Sequence, residues 1–406
     1  FNNTSPVPFF NFDLTRLPDT GLATNVALTR DGRFLIASAS RTDSSTLLGF
    51  NSTSTTPVWT LKIRPTITVG GAFIQGLRIS ANDSFAIANT YAEFFVINTF
   101  TGQVIYTGLI NPSSTSSGTQ ATQGISGDGS VIATINYSGI LRVYQRSGAS
   151  YTFLWQNQEP PGQFFNWYTS VDITDNGEYI AAGTLNFITS SSYDGKVKLF
   201  KRSGAGVPQW TYAGCGDEVA ALDFSGGGNM LAAASWGDFN GLTDDLYIFR
   251  TSGTGIPSFT VNSPGSFFTC GISADGRIVV AGGKAVHARQ FGSGGLLYSV
   301  EVDTSGGPTS IQSGAYSIPA AFRLELNYPN PINPSTLISV QMMRPGRLRI
   351  TIHDIGGRLV EVLADKQVNY GLHSFSLNAA GLPSGPYICR AVVDGVSESR
   401  RMMLIK

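Results

Sequence analysis

A ten-residue pattern recurs six times along the chain and constrains the fold more than any other feature. It first appears as TRDGRFLIAS at residues 29–38. The later copies begin at Ser80, Ser126, Thr174, Ser225 and Ser273. Each copy has a polar opening, a two-residue turn and an apolar run that ends in small residues. Asp-Gly, Asn-Gly and Gly-Gly pairs accept positive φ at both central positions, so each copy is predicted to contain a tight two-residue hairpin turn.

The spacing of the copies is nearly constant. Their first turn residues are Asp31, Asn82, Asp128, Asn176, Gly227 and Asp275. Subtracting each position from the next gives intervals of 51, 46, 48, 51 and 48 residues. A period of about 40 to 50 residues with several short strands per unit is typical of a β-propeller. The sequence therefore predicts an all-β fold with a six-bladed propeller over residues 24–302, and seven blades are the alternative.

Each repeat is predicted to hold four strands. In the last repeat, LLYSVEV at residues 296–302 is predicted to be the fourth strand. Residues 1–23 precede the first repeat and contain PFFNFDL, which resembles the strands that end other repeats. This segment is predicted either to close the ring as a blade strand or to pair with a second molecule by strand addition.

The repeat pattern ends after the sixth copy. Residues 303–321 are predicted to be a linker, and the composition changes again from Phe322. Residues 322–406 contain seven short strand-like segments separated by Gly, Pro and Asn. Seven short strands in a domain of this length predict an immunoglobulin-like β-sandwich.

The last domain also carries a specific set of motifs. They are YPNPINPST at residues 328–336, HDIGGRLVEVL at 353–363 and LPSGPY at 382–387. The residues that define the pattern are Tyr328, Pro329, Asn330, Pro331, Asn333, Pro334, Gly357, Gly371, Gly385, Tyr387 and Lys406. In order and spacing, the region resembles the C-terminal sorting domain of proteins exported by the type IX secretion system. It departs from that family at Ile332, where Phe is usual, and at Pro386, where a β-branched residue is common.

The resemblance implies how the protein is delivered. It implies the type IX secretion machinery as a partner, and a location outside a Gram-negative cell or on its surface. In this family the domain is often removed after export, sometimes with attachment to lipopolysaccharide, and the sequence leaves open whether this chain keeps it. The repeats resemble WD-like bacterial surface propellers in general, without the motif of any one enzymatic family.

Charge and hydropathy exclude two classes of partner. The chain has 27 basic and 27 acidic residues, and only 13% of its residues are charged. Without a basic run, electrostatic binding of nucleic acid or of an anionic membrane has no support. No apolar run approaches the roughly 18 to 20 residues that span a bilayer. We therefore predict no nucleic-acid partner and no transmembrane segment.

No catalytic set can be assembled from the sequence. His287 is the one histidine among the repeats and is predicted to lie on a strand. Asp172, Asp175, Asp217 and Glu218 are candidates for an acid/base pair, but they sit beside predicted turns, which favours solvated carboxylates. The sequence therefore predicts a protein that is not an enzyme and has no cofactor. A cluster of acidic or histidine side chains near the propeller axis would instead favour a glycan-active enzyme.

Three further sets of residues are candidates for binding or modification. Oxygen ligands that could hold Ca²⁺ occur at Asp238, Asn240, Asp244 and Asp245, without the spacing of an EF-hand loop and with a polar hairpin loop as the alternative. Candidate glycosylation acceptors are Asn2, Asn3, Asn51, Asn82 and Asn136. Cys215 and Cys270 lie near the starts of adjacent repeats and are a candidate disulfide. Cys389 is predicted to be a small buried residue.

Together these observations predict a secreted, non-catalytic surface protein. Its predicted role is adhesion or self-assembly into an extracellular fibre or layer. Self-association would use strand addition or domain contacts, and surface glycans are candidate ligands. The alternatives are a monomeric glycan- or protein-binding module and a secreted glycan-active enzyme.

Overall fold

The structure is a computed structural model. It describes Phe12 and residues 22–114, 118–160, 164–292, 294–302, 322–325, 327–342, 345–369, 371–393 and 396–405. These residues form β-strands and no α-helix, which confirms the predicted all-β class. The chain divides into two compact units, Phe1–Ala315 and Tyr316–Lys406. The predicted linker at 303–321 lies outside the described residues.

The described part of the first unit contains six antiparallel sheets. Sheet 1 contains β1 (Leu22–Leu28), β2 (Phe34–Ser40), β3 (Ser45–Asn51) and β4 (Trp59–Ile63). Sheet 2 contains β5 (Gly76–Ile79), β6 (Phe85–Asn89), β7 (Glu93–Asn98) and β8 (Val104–Leu109). Sheet 3 contains β9 (Gly124–Ile125), β10 (Val131–Ile135), β11 (Ile140–Ser147) and β12 (Ser150–Gln158).

The remaining three sheets follow in chain order. Sheet 4 contains β13 (Asn166–Ile173), β14 (Tyr179–Phe187), β15 (Tyr193–Asp194), β16 (Lys196–Lys201) and β17 (Pro208–Ala213). Sheet 5 contains β18 (Val219–Phe224), β19 (Met230–Ser235), β20 (Leu246–Arg250) and β21 (Phe259–Val261). Sheet 6 contains β22 (Ser266–Ile272), β23 (Ile278–Lys284) and β24 (Gly295–Glu301).

The six sheets are arranged around a common axis. The first strands of successive sheets contact one another, from β1 and β5 through to β18 and β22. The last residue of every first strand lines the same cavity; these residues are Leu28, Ile79, Ile125, Ile173, Phe224 and Ile272. Innermost strands that enclose one channel define a β-propeller, as the repeat spacing predicted.

The recurring pattern forms the turn between the first two strands of each sheet. In the first copy, the Thr29 hydroxyl donates to Asp31 Oδ1 at 2.8 Å, and the Gly32 N–H donates to the Thr29 carbonyl at 2.9 Å. The Phe34 N–H returns to Thr29 Oγ1 at 3.0 Å. Positive φ is confined to Gly32, so the prediction of positive φ at both central positions is wrong. The side chain of Asp31 bonds within the turn, and only the following residue adopts the left-handed conformation that favours glycine.

Sheet 6 differs from the prediction. The segment predicted to be its fourth strand is its third strand, β24, which pairs with β23. Residues 285–294, which follow β23, form a loop among the described residues instead of a strand, so the sheet reaches β24 one strand early. The outer edge of β24 has no strand partner among the residues that the structure describes.

Phe12 bears on how the ring closes. Most of the predicted segment at 1–23 lies outside the described residues, but the Phe12 ring lies 5.0 Å from the ring of Phe50 on β3. Elsewhere, Trp210 on the fourth strand of sheet 4 packs 5.1 Å from Phe249 on the third strand of sheet 5. Phe12 thus contacts sheet 1 as a fourth-strand aromatic residue of a preceding sheet would. This contact favours blade closure over strand addition.

We expect Phe12→Ala to destabilise the first unit. Phe12 is half-buried and covers Phe50, which is fully buried, so removing its ring should lower the free energy of unfolding by about 2 kcal/mol. Chemical denaturation of the full-length chain measures this change. Phe291→Ala is the matched control, because Phe291 is fully exposed and its loss should cost less than about 0.5 kcal/mol. Equal stabilities of the two variants would contradict the closing role.

The second unit is a small β-sandwich. Its seven strands are β25 (Phe322–Leu324), β26 (Ser335–Met342), β27 (Gly346–Asp354), β28 (Leu359–Val368), β29 (Gly371–Asn378), β30 (Gly385–Val393) and β31 (Val396–Leu404). They form a three-stranded sheet, β25-β26-β29, and a four-stranded sheet, β28-β27-β30-β31. Both sheets bury their inner faces in one core. This arrangement confirms the predicted immunoglobulin-like sandwich.

The YPNPINPST motif holds the last strand in place. Asn330 Oδ1 accepts a hydrogen bond from the Met403 N–H at 3.0 Å. The Ile332 N–H donates to the Met403 carbonyl at 2.6 Å, and the Ile405 N–H donates to the Ile332 carbonyl at 3.0 Å. Ile332, which replaces the usual Phe, is buried in the core. Among the other motif residues, the Tyr387 hydroxyl donates to the Pro383 carbonyl at 2.8 Å, and Lys406 lies outside the described residues.

Candidate functional site

A group of charged residues lies where two cavities along the propeller axis adjoin. An Arg78 guanidinium N–H donates to Asp172 Oδ1, and Asp172 Oδ2 accepts the Phe224 N–H at 2.8 Å. Asp223 lies beside this pair, and its Oδ2 accepts the Ile272 N–H at 2.8 Å. We call Arg78, Asp172 and Asp223 the waist. Three innermost strands from different sheets supply it, because each places one charged side chain toward the axis.

Burial changes the protonation of the waist. It raises the pKa of Asp223 to about 7, and the neighbouring charge of Asp172 adds to this rise. Burial also raises the pKa of Asp172, although the Arg78 charge opposes the change. One guanidinium therefore faces two carboxyl groups, and we expect the pair to share a proton near neutral pH.

A wide cavity of about 730 Å³ lies on one side of the waist. Its walls carry the aromatic rings of Tyr137, Trp236 and Phe268, and the last two lie 5.9 Å apart. Gln120 and Glu218 place polar groups in the same wall. Burial raises the pKa of Glu218 to about 7, with the charge of its neighbour Asp217 as the second cause. The cavity therefore combines aromatic surface with groups that donate and accept hydrogen bonds.

A smaller turn-side cavity of about 460 Å³ lies on the other side of the waist. Its rim includes the recurring turns, where Arg30 forms an ion pair with Asp175 at 3.1 Å. Both side chains are well exposed, so salt screens this pair and it contributes little stability. The wide cavity is the better candidate site because its walls are aromatic as well as polar.

The acidic candidates lie elsewhere than the sequence predicted. Asp172 and Asp217 are 5% and 2% exposed, so the expectation of solvated turn carboxylates is wrong for both. Asp172 faces the axis of the ring, whereas Asp217 is enclosed by loops of sheets 4 to 6, and in both places neighbouring sheets remove water. Only Asp175 sits at an exposed turn. His287, predicted on a strand, is in the loop after β23 and is buried.

The three cysteines are free thiols. The predicted disulfide between Cys215 and Cys270 is therefore not formed. Cys215 packs in the core shared by sheets 4 and 5, whereas the Cys270 thiol faces the Ala221 carbonyl at 3.7 Å. Cys389 is buried in the sandwich core.

The structure does not gather the candidate calcium ligands into one site. Asp238 accepts hydrogen bonds from the N–H groups of Asn240 and Leu242, at 3.0 and 2.6 Å. Asp245 is buried instead against Ser263, and burial raises its pKa to about 7. Within the described ranges, no three His, Cys, Asp or Glu side chains are placed to hold a metal ion. The polar hairpin loop is thus the reading that the contacts support.

The candidate glycosylation sites differ in accessibility. Asn51 and Asn82 are exposed. Asn136 is fully buried, and its Nδ2 donates a hydrogen bond to the Ile110 carbonyl at 3.5 Å. The prediction of Asn136 as a glycosylation site is therefore wrong for the folded chain. Asn2 and Asn3 lie outside the described residues.

The last domain matches a known family. Residues 327–406 match the family model of the secretion system C-terminal sorting domain. The second unit is therefore a sorting domain of type IX secretion, and the protein is secreted or displayed at the cell surface. No helix among the described residues has both the length and the apolarity needed to cross a bilayer.

Comparisons for the whole chain show only distant similarity. A search of curated proteins gave no match. One similar solved structure is titled "Crystal Structure of Mitotic Checkpoint Complex"; it is 11% identical, with coverage of 74% of this chain and 77% of that one and a TM-score of 0.48. The propeller assignment rests on the six sheets and the shared channel.

Several site residues were not found from the sequence. Arg78, Asp223 and Phe268 belong to the waist or the wide cavity, and none of the three was a candidate for binding or catalysis. One signal was available: Arg78, Asp172 and Asp223 occupy the penultimate position of first strands in three repeats. Charged residues at equivalent innermost positions of different repeats converge on the axis of a ring.

Proposed function

We propose that this is a secreted surface protein that binds a glycan in the wide cavity and acts in adhesion. The lining of the wide cavity is the observation that supports this proposal. Three aromatic rings offer flat apolar faces for sugar rings, while amide, hydroxyl and carboxyl groups offer partners for sugar hydroxyls. Delivery to the cell surface by the sorting domain would place this cavity where surface glycans occur.

The test is glycan binding by the full-length protein and two variants. Phe268 is 43% exposed in the cavity wall, so Phe268→Ala should remove a stacking surface without unfolding the chain. We expect affinity to fall about 30-fold, the equivalent of about 2 kcal/mol for a central aromatic contact. Glycan-array screening followed by calorimetry measures it. Phe153→Ala is the control, because Phe153 is 51% exposed on β12 and does not line the cavity. Equal losses in both variants would refute the site.

An enzyme is the second candidate function, and one observation favours it. Glu218 and Asp223 both line the wide cavity, and burial raises the pKa of each to about 7. Carboxyl groups with such pKa values can donate or accept protons near neutral pH. Reducing-end assays on bound glycans would distinguish the two functions. Release of product that Glu218→Gln abolishes would establish an enzyme, whereas binding without release supports adhesion.

Self-assembly by strand addition stays a prediction. The outer edge of β24, which has no strand partner among the described residues, is compatible with it, but the Phe12–Phe50 contact favours closure within one chain. Adhesion therefore has the stronger support.

A further inference from the structure

A third cavity lies apart from the axis, in the loops of sheets 4 to 6. This side pocket has a volume of about 390 Å³. Its floor contains Asp217, His287 and Arg289, and its rim contains Tyr193 and Phe239. Asp217 and His287 are both more than nine-tenths buried. The proposed adhesion site does not use these five side chains.

The floor of the side pocket is rigid. Arg289 donates from Nε and Nη2 to the two Asp217 oxygens at 2.6 and 2.8 Å. Its guanidinium carbon lies 3.9 Å from the Tyr193 ring centroid and 5.3 Å from that of Trp236. Bidentate pairing with Asp217 and stacking on the aromatic rings fix the orientation of the Arg289 guanidinium. The Asp217 carboxylate also offsets its positive charge. The floor is thus unsuited to an anionic ligand.

One polar atom in this floor lacks a partner. His287 Nδ1 accepts the Arg289 backbone N–H at 3.3 Å, so the neutral ring carries its proton on Nε2. Nε2 is buried and has no hydrogen-bond partner among the described residues. Asp217 Oδ2 lies 3.8 Å from Nε2, which is too far for a direct hydrogen bond.

The distance between His287 Nε2 and Asp217 Oδ2 limits which chemical group can bridge them. An oxygen that accepts from Nε2–H and donates to the carboxylate would satisfy both, and a hydroxyl does both. A carboxylate or phosphate would face the Asp217 charge, and an ammonium group could not accept from Nε2–H. Phe239, 60% exposed on the rim and 5.5 Å from the His287 ring, offers a face for an apolar ring.

We propose that the side pocket binds a neutral sugar, one hydroxyl of which bridges His287 Nε2 and Asp217 Oδ2. Asp238 also favours a neutral ligand in the side pocket. Hydrogen bonds from backbone N–H groups lower the pKa of Asp238, so its carboxylate at the rim stays charged and would repel an anion. The pocket therefore disfavours uronic acids and other acidic sugars. It is a site separate from the wide cavity and would bind whether or not that cavity does.

Saturation-transfer NMR of the full-length protein tests the proposal. The probes are glucose, galactose, mannose and N-acetylglucosamine, each with glucuronate and galacturonate as acidic counterparts. We expect at least one neutral sugar to receive saturation and the acidic ones to receive much less. The same sugar should shift the His287 Nε2 resonance, which His287→Ala identifies among the three histidines of the chain.

Two variants and two controls locate the sugar. His287→Ala and the rim variant Phe239→Ala should each lower affinity at least about tenfold. Because Phe239 is 60% exposed, its substitution should leave the fold intact. Leu242→Ala is the matched control, because Leu242 is 81% exposed near Phe239 and does not line the pocket. Loss only in Phe268→Ala would move the sugar to the wide cavity. No response to any neutral sugar would overturn the proposal and leave an ordered water as the bridge.

Discussion

Arg78→Met is expected to lower the free energy of unfolding by about 3 to 5 kcal/mol at pH 8. The substitution keeps most of the side-chain volume but removes the only cation of the waist among the described residues. Asp172 would then be a buried carboxylate without its ion-pair partner. It would also lie beside Asp223, a second carboxyl group whose pKa is raised by burial. Urea denaturation of the full-length protein, followed by tryptophan fluorescence, measures the change.

The pH dependence of this loss is a second part of the same result. Burial places the folded-state pKa of Asp223 at about 7, above its ordinary value of 3.8. Between these values the folded protein binds more protons than the unfolded chain, so the free energy of unfolding falls as pH rises. Without Arg78 both carboxyl groups should hold protons more tightly, and the loss should be smallest near pH 5 and largest above pH 7.

Arg277→Met is the control for the waist. Arg277 pairs with Glu301 at 3.5 Å, but both side chains are about 60% exposed, so the substitution should cost less than about 1 kcal/mol. Equal losses in the two variants, or an Arg78→Met loss that does not change with pH, would mean that the waist is solvated and carries no buried charge.

Ending the chain at Ala315 is expected to abolish secretion. The truncation removes the whole second unit and with it the family match at 327–406. Immunoblots of periplasmic, surface and culture fractions from a type IX secreting host should find the truncated chain in the periplasm alone. Protease resistance of that chain would show whether the propeller has folded.

A graft provides the complementary measurement. Residues 316–406 form their own core, so we expect them to export a reporter protein when fused to its C-terminus. Full-length Arg277→Met should be secreted normally, because Arg277 is exposed and lies in the turn before β23. Surface delivery of the truncated chain would assign the export signal to the propeller instead.

The sequence predicted the architecture from local rules. The hydroxyl, carboxyl and glycine positions of each turn lie within a few residues of one another, so one repeat such as Thr29 to Gly32 shows them all. The seven strands of the sorting domain were equally visible, because short apolar alternations were separated by Gly, Pro and Asn. The predicted strand count was wrong in sheet 6, where a loop with strand-like composition precedes β24, and in sheet 4, where the short strand β15 is additional.

The candidate site could not be predicted in the same way. Arg78 and Asp172 are 94 residues apart and meet only because the ring brings first strands together. Asp217 and His287 likewise approach through loops of different sheets. Asp172 and Asp217 were predicted to be solvated because each lies beside a turn in the sequence. The position of a turn does not show which side chains the neighbouring sheets enclose.

The free thiols have a consequence for the export of this protein. Only the thiolate reacts readily, and burial raises the pKa of Cys389 to about 12 and that of Cys215 and Cys270 well above the ordinary value. The periplasm oxidises exposed thiols, so the buried thiols of Cys215 and Cys389 should remain unreacted in the folded chain but not in an unfolded one. Packing, and not cross-linking, would then act as redox quality control: only molecules that fold early reach the outside with both buried thiols intact.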